Sequence, residues 1–112
     1  MENITFEDFS KLKIIAVTIT DAVLVEKSEK LIKLICEDGT EEARTILTGM
    51  APWYSPEEFI GMKTLIISNL APRNMMGFES RGMLLSIENQ DSTVKPIIIR
   101  LPDDVVNGSL VC

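Results

Sequence analysis

Apolar residues in this chain cluster in short β-branched runs and never sustain a long 3.6-residue stripe. Residues 12–25 are rich in Ile, Val, Thr and Ala, which predicts one long, bent strand or two abutting strands. Residues 30–36 (KLIKLIC) fit either period, because Leu31, Leu34 and Ile35 could also line a helix. The run is short, and Glu37-Asp38-Gly39-Thr40 follows it. Asp-Gly supplies the positive φ angles of a tight turn, so a strand entering a hairpin is favoured, with 42–47 returning. Ser55-Pro56-Glu57-Glu58 offers an N-cap, a proline at the first helical position and the carboxylate of a capping box. Gly61 ends that helix after little more than a turn. Residues 64–68 predict a fourth strand and 83–87 a fifth, separated by a loop over 69–82. A further strand over 94–101 follows the turn at 89–92. Near the start, Thr5 caps a short helix with Asp8 at its third position, and Phe6 and Phe9 are expected to anchor the core.

Three strands, a short helix and two more strands is the order of an OB-fold barrel. The expected fold is all-β: a five-stranded OB-fold barrel with a short helix between strands 3 and 4, an N-terminal helix and a C-terminal strand extension. The chain's 112 residues amount to one domain, with 88–112 as the extension. A content of 46% hydrophobic and 25% charged residues argues against disorder. The core of so short a chain is modest, so a partner subunit would help.

Composition also removes chemistry. The chain has no histidine, which excludes Ser-His-Asp and Cys-His catalysis and His-ligated metals. Cys36 and Cys112 lie far apart and suggest neither a metal cluster nor a redox pair. Free thiols fit a reducing, cytoplasmic setting. No apolar run approaches the roughly 20 residues needed to cross a bilayer, and Met1-Glu2-Asn3 lacks the basic start of a signal peptide. No nucleophile sits beside a base and no nucleotide motif occurs, so neither an enzyme nor a bound cofactor is expected.

A net charge of −6 argues against general nucleic-acid binding. The distribution qualifies this, since Lys27, Lys30 and Lys33 are close together, as are Arg73 and Arg81 with only Glu79 between them. Residues 69–83 read NLAPRNMMGFESRGM. Arg73 and Arg81 could pair with phosphate or stack on a base. Asn69 and Ser80 could hydrogen-bond base edges or ribose. Gly77 and Gly82 permit tight turns and close approach. Met75, Met76 and Met83 are adaptable apolar surfaces. Composition alone favours a plainer account, with methionines as core filler, Asn69 capping a strand end and solvated arginines. Trp53 and Tyr54 could stack on bases, or could close a barrel end or a subunit interface. Lys30 and Lys33 would face opposite sides of a strand. Glu57 and Glu58 are explained by a helix N-terminus, without acid–base chemistry.

The segments FEDFSKLKI, VEKSEKLIKL, TILTGMAPWYSPEEFIGMKTLIISNLAPR and MMGFESRGMLLS resemble the small tRNA-binding domain family. That family includes C-terminal domains of methionyl-tRNA synthetases, free-standing dimeric tRNA-binding proteins and secretion-chaperone-like dimers. The resemblance covers most of residues 6–87, and NLAPR followed by MGFESRGMLL is its specific part. It implies an OB-fold, a homodimer using the C-terminal segment near its interface, and recognition of tRNA by shape. A methionyl-tRNA synthetase is an implied partner; a membrane is not. The family's binding pattern falls on Asn69, Arg73, Ser80, Gly82 and Met83, with Lys30 and Lys33 on the second strand. Asn74 and Arg81, in the same loop, complete the candidate set. Four positions depart from the pattern. Ile15 and Thr18 stand where the family often has Arg and Lys, and Ala71 and Asn74 stand where lysine is usual, while Arg81 replaces a common glutamine. Each lost phosphate contact would lower the salt dependence of binding by about 0.7 to 0.9 log units. The alternative is therefore a dimeric protein-interaction or chaperone-like module with weakened RNA binding.

Overall fold

The computed structural model describes all 112 residues. Its main sheet joins β1 (Ile14–Leu24), β2 (Ile32–Glu37), β3 (Arg44–Thr48), β4 (Lys63–Ile67) and β7 (Met83–Leu84). The order is β3-β2-β1-β4-β7, and every neighbouring pair is antiparallel. The free edges then approach each other. The Arg81 N–H donates to Thr45 O at 2.8 Å, and the Leu47 N–H donates to Ser80 Oγ at 3.0 Å. The result is a nearly closed, five-stranded antiparallel barrel of the OB type, as the element order predicts.

β1 is one long strand with a bulge. Its pairing with β2 shifts between Ile19 and Asp21, and the positions that join the core cluster change there from odd to even, Val17 and Ile19 before it and Ala22 after it. An extra residue on one strand bends it and re-aims its side chains, so one strand can serve two walls of a barrel. The core gathers Val17, Ile19, Ile32, Leu34, Ile46 and Ile66. Each such side chain contributes roughly 1.5–3 kcal/mol when fully buried. Phe59 plugs one end of the barrel from a 3₁₀ turn at Pro56–Phe59. The Ser55 N–H donates to the Glu58 carboxylate at 2.8 Å, and Gly61, at φ +87°, ends the turn. Tyr54 packs on Phe59 with ring centroids 5.6 Å apart and donates its hydroxyl to Pro96 O at 2.6 Å. It therefore closes the barrel end; Trp53 beside it is half-buried.

Several expectations need correction. The β2–β3 connection is a six-residue loop, 38–43, not a tight Asp-Gly turn. The buried Asp38 carboxylate accepts from the Thr40 N–H (3.0 Å), Thr40 Oγ1 (2.6 Å) and Arg44 Nε (3.1 Å), which holds the chain in a wider bend. The N-terminal helix, α1 (Phe6–Ser10), forms with Thr5 Oγ1 accepting from the Asp8 N–H at 3.1 Å. Phe6 and Phe9 do not anchor the barrel core. None of the helix is buried, Phe6 is 79% exposed, and both rings border a shallow hollow with Leu110, Val111 and Cys112. Five helical residues are too few to reach across the barrel mouth.

The predicted strand over 83–87 divides at Leu85. Met83–Leu84 pairs with β4, whereas β8 (Ser86–Ile87) turns to pair with β9 (Ile97–Ile98). The strand expected over 94–101 is confined to β9, between Pro96 and Pro102. Residues 108–111 then add to β1 on the edge that β2 leaves free. The Gly108 N–H donates to Ala16 O (2.7 Å), the Ala16 N–H to Ser109 O (2.9 Å) and the Val111 N–H to Ile14 O (2.8 Å). Asn107 Oδ1 accepts from Thr18 Oγ1 at 2.8 Å and Lys63 Nζ at 3.2 Å. The C-terminal segment is thus woven into the barrel sheet.

Candidate nucleic-acid interface

Residues 69–82, expected to be a loop, contain a β-hairpin. β5 (Arg73–Met75) and β6 (Phe78–Ser80) pair Arg73 with Ser80, Asn74 with Glu79 and Met75 with Phe78. Met76 (φ 51°) and Gly77 (φ 84°) both take positive φ, as a two-residue type I′ connection requires. Asn-Gly is the usual signal for this turn. Methionine at the first position hid it, and three-residue strands are too short for a clear period. The available signal was Gly77 centred between Arg73 and Arg81.

Alternation sorts the hairpin side chains onto two faces. Ser80 is only 3% exposed and its hydroxyl, while accepting from Leu47, donates to Gly82 O at 3.3 Å. The Ser80 face therefore looks at the barrel and carries Arg73, Met75 and Phe78, while Asn74 and Glu79 lie on the outer face.

The candidate residues accordingly separate into platform and surface. Asn69 is a strap: its Oδ1 accepts from the Lys13 N–H at 2.8 Å and its Nδ2 donates to Lys11 O at 2.7 Å. It ties the end of β4 to the segment entering β1. Ser80 seals β3. Gly82 sits at φ +139°, where a Cβ would lie 2.9 Å from Ile67 O, so only glycine lets the chain pass there. Lys30, Arg73, Asn74, Arg81 and Met83 are exposed, and Lys33 is half-buried. Lys30, expected on the strand and facing the side opposite Lys33, lies instead ahead of β2 in a bend. Lys33 stands between the buried Ile32 and Leu34 on the outer side of β2, with Nζ 4.5 Å from the centroid of Phe78. This cation–π contact joins β2 to the hairpin. Between the hairpin's inner face and the chain at Leu47–Met50 is a cleft of about 320 Å³ bordered by Arg73, Met75 and Met83.

The charges divide sharply. The molecule holds two ion pairs, Lys11–Asp8 at 3.5 Å on the surface and Arg44–Asp38 at 3.0 Å under cover. Arg44, which the sequence did not single out, also donates from Nη1 to Ser68 O (2.8 Å) and Arg81 O (2.7 Å). Burial opposes ionisation of Asp38, but the hydrogen bonds from Thr40 and Arg44 and the guanidinium charge outweigh it and hold the carboxyl below its ordinary range. Burial pushes the Cys36 thiol up to about 12. Arg73 and Arg81 have no carboxylate within ion-pair distance. Their guanidinium groups are free to meet a phosphate in a bidentate fashion. Glu79 is the one carboxylate between them in sequence, and it sits opposite Asn74.

No helix is long and apolar enough to cross a membrane. The family model described as "Putative tRNA binding domain" matches residues 14–110. Over 111 residues the chain is 43% identical to a methionine–tRNA ligase of Caldanaerobacter subterraneus subsp. tengcongensis, covering 99% of this chain and 17% of that protein. Over 110 residues it is 44% identical to the ligase of Parabacteroides distasonis, with 98% and 16% covered. The chain thus spans about a sixth of the length of these curated relatives. Among solved structures, the MetRS related protein from Pyrococcus horikoshii superimposes with a TM-score of 0.93 at 36% identity over the whole of both chains. The chaperone CsaA from Bacillus anthracis (TM-score 0.85, 22% identity, 99% and 100% covered) shares the fold. With its barrel, its hairpin and its matched residues 14–110, the chain belongs to the tRNA-binding domain family.

Proposed function

We propose that this chain is a non-catalytic module that binds tRNA by shape through the β5–β6 hairpin and its borders. It acts alone or in trans with a methionyl-tRNA synthetase, in the cytoplasm. The observation that carries this reading is the pair of unpaired guanidinium groups, Arg73 entering the hairpin and Arg81 leaving it, on a platform fixed by Asn69, Ser80 and Gly82. Lys30 and Lys33 extend the cationic border, and Met83, 50% exposed, adds an apolar one. Asn74 adds an amide on the outer face. The similarity to a MetRS related protein, at 36% identity over the whole of both chains, supports the link to a methionyl-tRNA synthetase. Filter binding of bulk tRNA at low and physiological salt tests the reading. Saturable binding that weakens with salt is expected; no binding at low salt overturns it.

A homodimer belongs to the same reading. Phe6, Leu12, Leu110 and Val111 are exposed apolar side chains that meet where α1 reaches the C-terminal segment. Covering such a patch with a second copy would remove it from water. Light scattering after size-exclusion chromatography should give twice the chain mass, falling to one in Phe6→Glu/Leu110→Glu.

The alternative, a protein-interaction or chaperone-like module, draws on the net charge of −6 and the uncharged Ile15, Thr18, Ala71 and Asn74. Native partners that survive RNase treatment, together with no retention of tRNA, would favour it.

A further inference from the structure

A second recess lies at the tip of the hairpin, away from the arginine cleft. It is an open groove of about 420 Å³ between the β1–β2 turn and the β5–β6 turn. Its apolar surface comes from Val23, Leu24, Met76 and Phe78, all of them exposed and gathered at one place. Phe78 is 37% exposed, and the Lys33 ammonium sits over its ring. Lys27 borders the groove as well, and Glu26 is the one carboxylate there.

These groups ask for a ligand that is flat and apolar in one part and anionic in another. A purely apolar segment would cover two ammonium groups with Glu26 as the one counter-charge between them. A duplex would present phosphate but no free base face. An unpaired nucleotide offers both. We propose that this groove holds an unpaired nucleotide of the bound RNA, its base against Phe78 and Met76 and its phosphate between Lys27 and Lys33. The inference rests on the tRNA-binding reading and adds to it a subsite for single-stranded RNA. The arginine cleft then meets the folded part of the RNA, and the groove takes a base that leaves the fold. Base–aromatic stacking tolerates any base, so the subsite selects for single-strandedness and not for sequence.

The test compares two RNAs on the full chain: a hairpin with a blunt stem, and the same hairpin with a single-stranded 3′ extension carrying 2-aminopurine. The extension should tighten binding by about ten-fold, within the range of one stacked base, and the aminopurine emission should fall on binding. Phe78→Leu keeps an apolar side chain at the hairpin tip. It should abolish both effects and cost the extended RNA clearly more affinity than the blunt hairpin. Lys27→Gln should weaken only the extended RNA, a few-fold, and keep the quenching. Equal affinities for the two RNAs in the wild-type chain overturn the subsite while leaving the tRNA-binding reading intact. So does an equal loss on both RNAs in Phe78→Leu. Binding of neither RNA overturns both. An acidic aromatic peptide that binds the wild-type chain but not Phe78→Leu, with RNA binding unaffected, assigns the groove to a protein and overturns the proposal.

Discussion

Arg44 and the pair Arg73 and Arg81 stand near each other in the fold and do opposite work. Arg44 is covered, its guanidinium shared between Asp38 and the carbonyls of Ser68 and Arg81. It fastens the seam where β3 meets the chain leaving the hairpin. Arg81 supplies a backbone carbonyl to that seam and keeps its own side chain outside it. Arg73 stands on the hairpin face that looks toward the barrel but remains exposed. An arginine whose donors are spent on internal acceptors is structural, whatever its distance from a binding surface. One without internal partners keeps its charge available at the surface.

The sharpest way to break this comparison is Arg44→Met. It leaves the Asp38 carboxylate buried without its cation and two carbonyls without donors, which should cost about 3–5 kcal/mol in urea unfolding. A loss below about 1 kcal/mol would show that the seam does not depend on Arg44. Gly82→Ala attacks the same seam through the backbone. Its φ and the approach to Ile67 O predict a loss of about 1–3 kcal/mol by the same assay.

Acid should find the seam next. The Asp38 carboxyl titrates lower folded than unfolded. Its contribution to stability is therefore fully present above the unfolded value, about 3.9, and disappears as pH falls through the folded value. The denaturant midpoint should drop in that window, and in Arg44→Met the drop should begin at higher pH. The free arginines should behave in the reverse manner. Arg73→Ala and Arg81→Ala should each leave stability within about 0.5 kcal/mol, yet lower the slope of log affinity for tRNA against log salt by about 0.7–0.9. A stability loss as large as that of Arg44→Met would abolish the distinction between the two kinds of arginine. The smallest effect concerns the thiols. With Cys36 pushed up to about 12, its thiolate fraction at pH 8 is about 10⁻⁴. A thiol reagent should label Cys112 alone in the native chain and both cysteines in denaturant.

Much of the barrel was legible because its strands obey local rules. The β-branched run over 12–25, the Ser-Pro-Glu-Glu cap and the Gly61 stop each made their element, within two residues at most boundaries. What escaped depends on distant partners. Asp38 drew the β2–β3 connection into a wider loop because Arg44 and Thr40 converge on it. Leu85 divides one apolar run because the two halves pair with different strands, β4 through Ile66↔Leu84 and β9 through Ile87↔Ile97. The site was readable as composition and unreadable as geometry. Nothing local to Asn69 or Ser80 reveals that both side chains are consumed internally, since Lys11, Lys13 and Leu47 lie dozens of residues away. Arg44 was invisible for the same reason.

The pairing of Ile15 with Leu110 has a consequence for how the molecule is made. A ribosome delivers Leu110 only 95 residues after Ile15. Until then one flank of β1 has naked amides, a ready template for a wrong neighbour. Closing so wide a chain loop is also slow, which places maturation in the millisecond-to-second regime of non-local topologies. Nascent chains stalled before the final turn should therefore be the aggregation-prone species, and a chaperone that shields a bare sheet margin should be most useful to this protein in that interval.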